Sequence, residues 1–424
     1  MKVKASIIAM GLAALASTAA FADNSSVGEK AFVTQIGAGN TATVTQTASS
    51  NDTVNVLQSA NNAQATVTSS NGSNNDTDIK QLSGAANSKL GATVTQDGAH
   101  SETTRISQNG TNSTANVTQT NASQDKDTVN QYGANSKSTI SQTGGGSNTV
   151  TINQGSTQYG KIDGGEATVT QSATIGNTVK ISQDRDHGKA VVQTTGGGYN
   201  DTTVTQTGGV TDTSVQQNNE YADTVKITQN GAEIANVSST NGGNNHTTID
   251  QSGASLPNLA SVHQINAQNE TTNIVQSGAA FNTAYVDQLY ASNDHATVVQ
   301  TGSNNTASVA QRFGGGNTAS SLQLGSSNKA DLTQDSAGES NIVSSQIGDL
   351  NTAKASQSGS YEDLLLTQAG FGNVATSSQT GANNVGVITQ IGLGNNASVT
   401  QAGYGNTAVV TQTGTGNKAT IAQK

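Results

Sequence analysis

The chain has no cysteine, no tryptophan and a single proline in 424 residues, and only 3% of its side chains are aromatic. Without cysteine there is no disulfide framework and no thiolate metal site. With 32% apolar residues, a thick core of large side chains is excluded as well. Charged residues are also scarce, at 11%. Disordered chains usually carry more charge and more proline than this. Gly, Asn, Thr, Ser, Gln and Ala make up most of the rest, so order has to come from hydrogen bonding and close stacking.

Long apolar runs are missing too. The one candidate, Ile7 to Ala16, is too short to span a bilayer and follows the basic residues Lys2 and Lys4. Ala20-Phe21-Ala22 then fits the small-x-small cleavage rule. Residues 1–22 therefore read as a secretory signal, 23–28 as a short N-terminal segment, and 29–424 as the body of the protein. Removing Lys2 and Lys4 from the 18 basic residues leaves 16, against 28 acidic ones, a net charge of −12. Such a surface is a poor partner for nucleic acid. It keeps a secreted monomer soluble by self-repulsion.

What the chain does have is a repeat. Gln346, Gln357, Gln368, Gln379, Gln390, Gln401, Gln412 and Gln423 stand eleven residues apart. Asn351, Asn373, Asn384, Asn395, Asn406 and Asn417 each precede a Gln by six, and Gly follows most Gln by two. The unit reads Gln-x-Gly-x-x-Asn-x-Ala-x-Val-x-Gln. It recurs from Gln35 through Asn40 to Gln46, and again at Asn305 and Gln311. The register runs through the middle on Gln58, Gln81, Gln96, Gln108 and onward, including Gln193, with Ser69 and Ser239 in place of Gln. The middle, about 59–300, is looser than 300–424, with insertions near Gly84, Gly160 and Leu256; the lone Pro257 sits in the last of these.

Inside the unit the period is two, because Asn, Ala, Val and Gln fall at i, i+2, i+4 and i+6. That alternation predicts a strand with one face buried. The Gln-x-Gly-x-x-Asn segment predicts a tight turn, since Gly supplies positive φ and Asn tolerates it. A strand of about six residues and a turn of about five fill the unit. Two units make a rung, and stacked rungs make an all-β, two-sided β-solenoid of about 34 short strands in about 17 rungs, with cross-β stacking. Ala and Val fill its thin interior. Gln stacks on Gln and Asn on Asn, because an amide is both donor and acceptor. The structural ladder is assigned to the Gln and Asn positions named above. Glu29 and Glu362 at Asn positions read as single interruptions. Asp52, Asp76, Asp78, Asp125, Asp127, Asp184, Asp186 and Asp212 read as solvated turn or outer-face charges, or as gatekeepers that slow premature aggregation. Neither end carries an evident cap, and an open rung is a template for another chain.

The repeated unit behind a signal peptide resembles the curlin repeat of bacterial curli fibre subunits. The resemblance implies a repeat-expanded, major-type subunit of a secreted functional amyloid on the cell surface, serving biofilm matrix and adhesion. It implies as partners further copies of the chain, a nucleator subunit and an outer-membrane secretion channel.

No chemistry of catalysis stands out. His100, His187, His246, His263 and His295 are widely spaced and lie off the repeat. No metal spacing, phosphate loop or paired-carboxylate groove is present. The expectation is a structural protein: not an enzyme, with no cofactor and no metal. The alternative is a monomeric β-solenoid binding rod, either an adhesin stalk or an ice-binding protein. Its support is the outward Thr pairs such as Thr41, Thr43 and Thr45; Asn116, Lys354, Ser356 and Lys418 interrupt the array.

Overall fold

The computed structural model describes residues 6–9, 17–22, 26–83, 88–155, 164–184, 187–253 and 256–424. Of residues 1–22 it describes only Ser6–Ala9 and Ser17–Ala22, which pair in parallel with Lys30–Ile36 and Thr41–Thr47. The basic end, most of the apolar stretch and the start at Asp23 lie outside the described residues, as do 84–87, 156–163, 185–186 and 254–255 within the insertions.

The chain divides into two compact units, Met1–Asn219 and Glu220–Lys424. Each is a two-sided parallel β-solenoid. From Lys30–Ile36 to Asp212–Asn218 the first unit holds 16 strands, eight in each sheet. From Thr224–Asn230 to Lys418–Gln423 the second holds 18, nine in each sheet. The expected 34 strands in 17 rungs are therefore present.

Within each unit strands alternate between the two sheets, and successive strands of one sheet pair in parallel. Thr114–Thr120, for example, pairs with Lys137–Gly146 so that Val117 meets Ile140 and Gln119 meets Gln142. The burial follows the period of two. In Thr53–Ser59, Val54, Val56 and Gln58 point inward and the residues between them are half-exposed. Inside the first unit, Val56, Ile79, Ile106, Val129, Ile152 and Ile181 stack as one column. Each such side chain contributes roughly 1.5–3 kcal/mol on burial. Ordering a rung of some 22 residues costs about 1 kcal/mol per residue or more. No rung is stable alone, and stacking closes the difference.

Two details depart from the sequence expectation. In the regular part most strands are nine residues long rather than six, as in Val374–Ala382. The Gln-x-Gly segment keeps pairing with its copy on the next rung, Gly370 with Gly392 and Phe371 with Leu393, so the turn is shorter than expected. The second departure is Gln193. It faces outward, and Thr194 takes the inward ladder position, paired with Gln171 and Gln217. Ala190 and Val192 set the inward face there, and the next inward residue is Thr194.

Candidate functional site

The candidate site is the set of polar columns that run through the interior. The first is the glutamine ladder. In one sheet of the second unit, each Gln Nε2 donates to the Oε1 one rung on: Gln229 to Gln251, Gln251 to Gln276, and on through Gln346, Gln368 and Gln390 to Gln412, at 2.7–3.0 Å. The other sheet carries a parallel ladder from Gln264 through Gln311, Gln357, Gln379 and Gln401 to Gln423. The second amide hydrogen reaches a backbone carbonyl of the facing strand, as from Gln368 to Thr352 O at 2.9 Å. In the first unit Gln35 donates to Gln58, and the series continues to Gln206.

The ladder is polar. In the second unit every Gln-to-Gln donor points toward the C-terminal neighbour. Burial without a partner would cost each amide about 1–3 kcal/mol, so the ladder fixes register as well as supplying hydrogen bonds.

The second feature is the asparagine column. In the second unit Asn282, Asn305, Asn328, Asn351, Asn373, Asn395 and Asn417 form one. Each Oδ1 accepts both the backbone N–H and the side-chain Nδ2 of the next, as Asn305 does from Asn328 at 3.1 and 3.2 Å. Nδ2 also reaches a glycine carbonyl one rung further on, Asn351 to Gly370 O at 3.0 Å. Asn384 and Asn406 belong to the other Asn column, with Asn406 N donating to Asn384 Oδ1 at 3.1 Å. Asn40 Oδ1 accepts from Ala63 N, since its column continues there as alanine.

The column that holds Asn384 corrects the sequence reading. It is built from acids as well as amides. The column at the same repeat position in the first unit runs Glu29, Asp52, Asn75, Glu102, Asp125, Asn148 and Asn177. Each side-chain oxygen accepts the next member's backbone N–H at 2.8–3.1 Å. In the second unit Asp223, Asn245, Glu270, Asp294, Asn317 and Ser340 do the same. Glu362 follows and accepts from Asn384 Nδ2 at 3.1 Å. The position requires one oxygen that reaches the rung above, and Glu and Asp supply it as well as Asn does. Glu29 is not a single interruption, because Asp52 follows it on the next rung; Glu362, between Ser340 and Asn384, is.

Three of the acids expected in solvent are thus inside: Asp52, Asp125 and Asp127 are at most 1% exposed. Asp212 is exposed, Asp76, Asp78 and Asp184 are half-buried, and Asp186 lies outside the described residues. The carboxyls also receive ladder donors from the other sheet. Gln46 Nε2 reaches Glu29 at 2.9 Å, Gln119 reaches Glu102 at 3.1 Å and Asp127 at 3.0 Å, and Gln288 reaches Glu270 at 3.1 Å. The two ladder serines belong to this pattern: Ser69 donates to Asp52, and Ser239 to Asp223 at 3.2 Å.

Burial with a like-charged neighbour raises the pKa of these carboxyls. Desolvation, then the Asp125 charge, pushes Glu102 up to about 8; desolvation and Asp294 do the same to Glu270. Desolvation and Asp52 bring Glu29 to about 7, and desolvation brings Asp125 to about 6. Asp127 is raised well above its ordinary value by desolvation, then Asp125 and Glu102. Glu220 and Asp223 are both raised by burial, and they share a hydrogen bond, which needs a proton between them. Among the described residues, no group of three His, Cys, Asp or Glu is arranged to hold a metal ion.

The family model described as the curlin associated repeat matches residues 302–335 and 394–424. These two stretches are curlin repeats, and they carry the same ladders as the rungs around them. No curated protein matches the chain significantly.

Proposed function

From a chain that carries curlin repeats, we propose a structural subunit of an extracellular, curli-like amyloid fibre that grows head to tail by stacking the rungs of one copy on those of another. The observation that supports this reading is the uniform polarity of the glutamine ladders in the second unit. A second copy placed by translation along the stack brings acceptors to donors. An inverted copy brings donors to donors. Such a contact is heterologous and does not close, so it makes filaments.

On this reading residues 1–22 direct export. The partners are further copies, a nucleating subunit and an outer-membrane secretion channel, and the fibre serves biofilm matrix and surface adhesion. The reading assigns no catalysis and no cofactor. The purified chain from Asp23 onward should raise thioflavin fluorescence after a lag that preformed seeds remove. The product should diffract at about 4.7 and 10 Å. A chain that stays monomeric and ordered for days overturns the reading.

One observation favours the binding rod as a second reading. On the outer face of the first unit, Thr43, Thr66, Thr93, Thr139 and Thr168 stack in one column, broken by Asn116. Thr45, Thr68, Thr95, Thr118 and Thr170 stack beside it, broken by Ser141. A soluble monomer that depresses ice growth would select this reading over the fibre.

A further inference from the structure

The acid-bearing rungs pose a problem that the fibre reading does not answer. Elsewhere the same column uses Asn, which satisfies the position without any charge. Glu102 and Asp125 stand on successive rungs, and Asp127 lies two residues beyond Asp125 on the inward face. Glu270 and Asp294 repeat the successive-rung pair in the second unit, with Ala296 where Asp127 stands in the first. One oxygen of each column acid is used by the next rung. The remaining oxygen is buried without a hydrogen-bond partner in Glu29, Glu102, Glu270, Asp294 and Glu362. An ionised carboxylate with an orphan buried oxygen beside a second carboxyl is costly. A protonated one is tolerable.

Among the described residues no cation forms an ion pair with these groups. Around the first cluster His100, Arg105, Lys126 and Lys137 are exposed, Lys137 is paired with Glu166, and Lys80 with Asp78. The other acids on these elements, Asp76 and Asp97, face outward. Around the second cluster His246 and His295 are exposed, with His295 drawing Asp294 slightly down. His263 and Arg312 are both held by Asp287, while Asp250 and Glu339 are exposed.

We propose that the rungs holding Glu102–Asp125–Asp127 and Glu270–Asp294 form a proton-controlled lock on the solenoid, closed when their carboxyls are neutral and opened when they ionise. The direction follows from linkage. The raised pKa values mean that the folded rungs bind more protons than the unfolded chain between about pH 4 and 8. Stability is full below that window and is lost as pH rises through it, by about tenfold in the opening equilibrium per pH unit and retained proton. The lock concerns the folding of rungs, so it stands whether or not copies polymerise.

The test is hydrogen exchange on the folded chain, single or assembled, at pH 5 and pH 8, normalised for intrinsic exchange. Sedimentation reports separately whether copies have associated. Protection over 102–131 is expected to fall at least about 100-fold in the wild type. In the combined variant Glu102→Gln, Asp125→Asn, Asp127→Asn it is expected to fall less than about threefold. The outer-face variant Asp201→Asn, Asp212→Asn is expected to keep the wild-type slope. Equal slopes in the wild type and the interior variant overturn the proposal, and so does a flattened slope in the outer-face variant, which would assign the effect to net charge. If the interior variant fails to fold, the infrared carbonyl stretch of protonated carboxyls in the wild type at pH 7 decides: its presence supports the lock and its absence removes it.

Discussion

Gly370→Val should stop seeded growth, while Gly372→Asn, two residues away, should leave it unchanged. At Gly370 the backbone sits at φ +122 and a Cβ would lie 2.1 Å from Gly392 O on the next rung. The obstacle is backbone, so no side chain can swing aside. The same holds along the column, with a Cβ on Gly348 meeting Gly370 O at 2.2 Å and one on Gly392 meeting Gly414 O at 2.0 Å. The backbone strain alone costs about 1–3 kcal/mol, and the overlap adds a similar amount. The rungs must separate locally, which breaks the ladder bonds of Gln368 as well. Elongation from wild-type seeds is expected to slow more than about tenfold, read by thioflavin fluorescence. Gly372 has φ +65 and nothing within 4 Å of a Cβ. One rung earlier the same turn position is Leu350, at φ 59. A Gly370→Val chain that elongates at the wild-type rate would mean that close rung stacking does not carry growth.

That pair of glycines marks the limit of what the sequence discloses. Both appear in the unit as Gly-x-Gly before Asn, and spacing alone does not tell a glycine held under its neighbour's carbonyl from one that merely turns the chain. The alternation and the eleven-residue spacing were legible because they are the direct image of the pleat and the rung. Gln193 misled because a landmark residue was followed where the inward face, Ala190 and Val192, had already fixed Thr194. The acids misled for a different reason. An isolated Asp is usually solvated, and the composition offered nothing against that reading. Yet Glu29, Asp52, Glu102, Asp125, Asp223, Glu270, Asp294 and Glu362 each stand six residues before a glutamine. That is the Asn position of the unit. The positional signal was present and was outweighed by a general rule about charge. What the spacing could not supply is that a single acceptor oxygen suffices there.

The same distinction predicts opposite responses to the same charge at two neighbouring columns. Gln368→Glu should be strongly destabilising above neutral pH and partly rescued in acid. Gln368→Leu, which fills nearly the same volume, should be destabilising at every pH. Gln368 accepts from Gln346 Nε2 and donates to Gln390 Oε1 and Thr352 O, each at 2.9 Å. Leu leaves all three partners buried and unmatched, at about 1–3 kcal/mol each. A carboxylate still accepts from Gln346 but has nothing to give Gln390 or Thr352; a protonated carboxyl restores one donor. Denaturant midpoints at pH 5 and pH 8 should therefore rank wild type, then Glu at pH 5, then Glu at pH 8 close to Leu. Asn75→Asp should cost less, because an Asp keeps the Oδ1 that accepts from Glu102 N at 3.1 Å and loses only the Nδ2 donation to Ala99 O at 3.0 Å, whereas an ionised Glu at 368 loses two donations. The chain already follows this rule: its ladder positions hold Gln, Ser or Thr and no acid, while the adjoining column holds Glu and Asp repeatedly. Two inward positions with like burial differ in what their partners ask of them, two donors and an acceptor at Gln368 and one donor and an acceptor at Asn75. Equal tolerance of acid at Gln368 and Asn75 would mean that burial, not hydrogen-bond polarity, sets the residue choice along the stack.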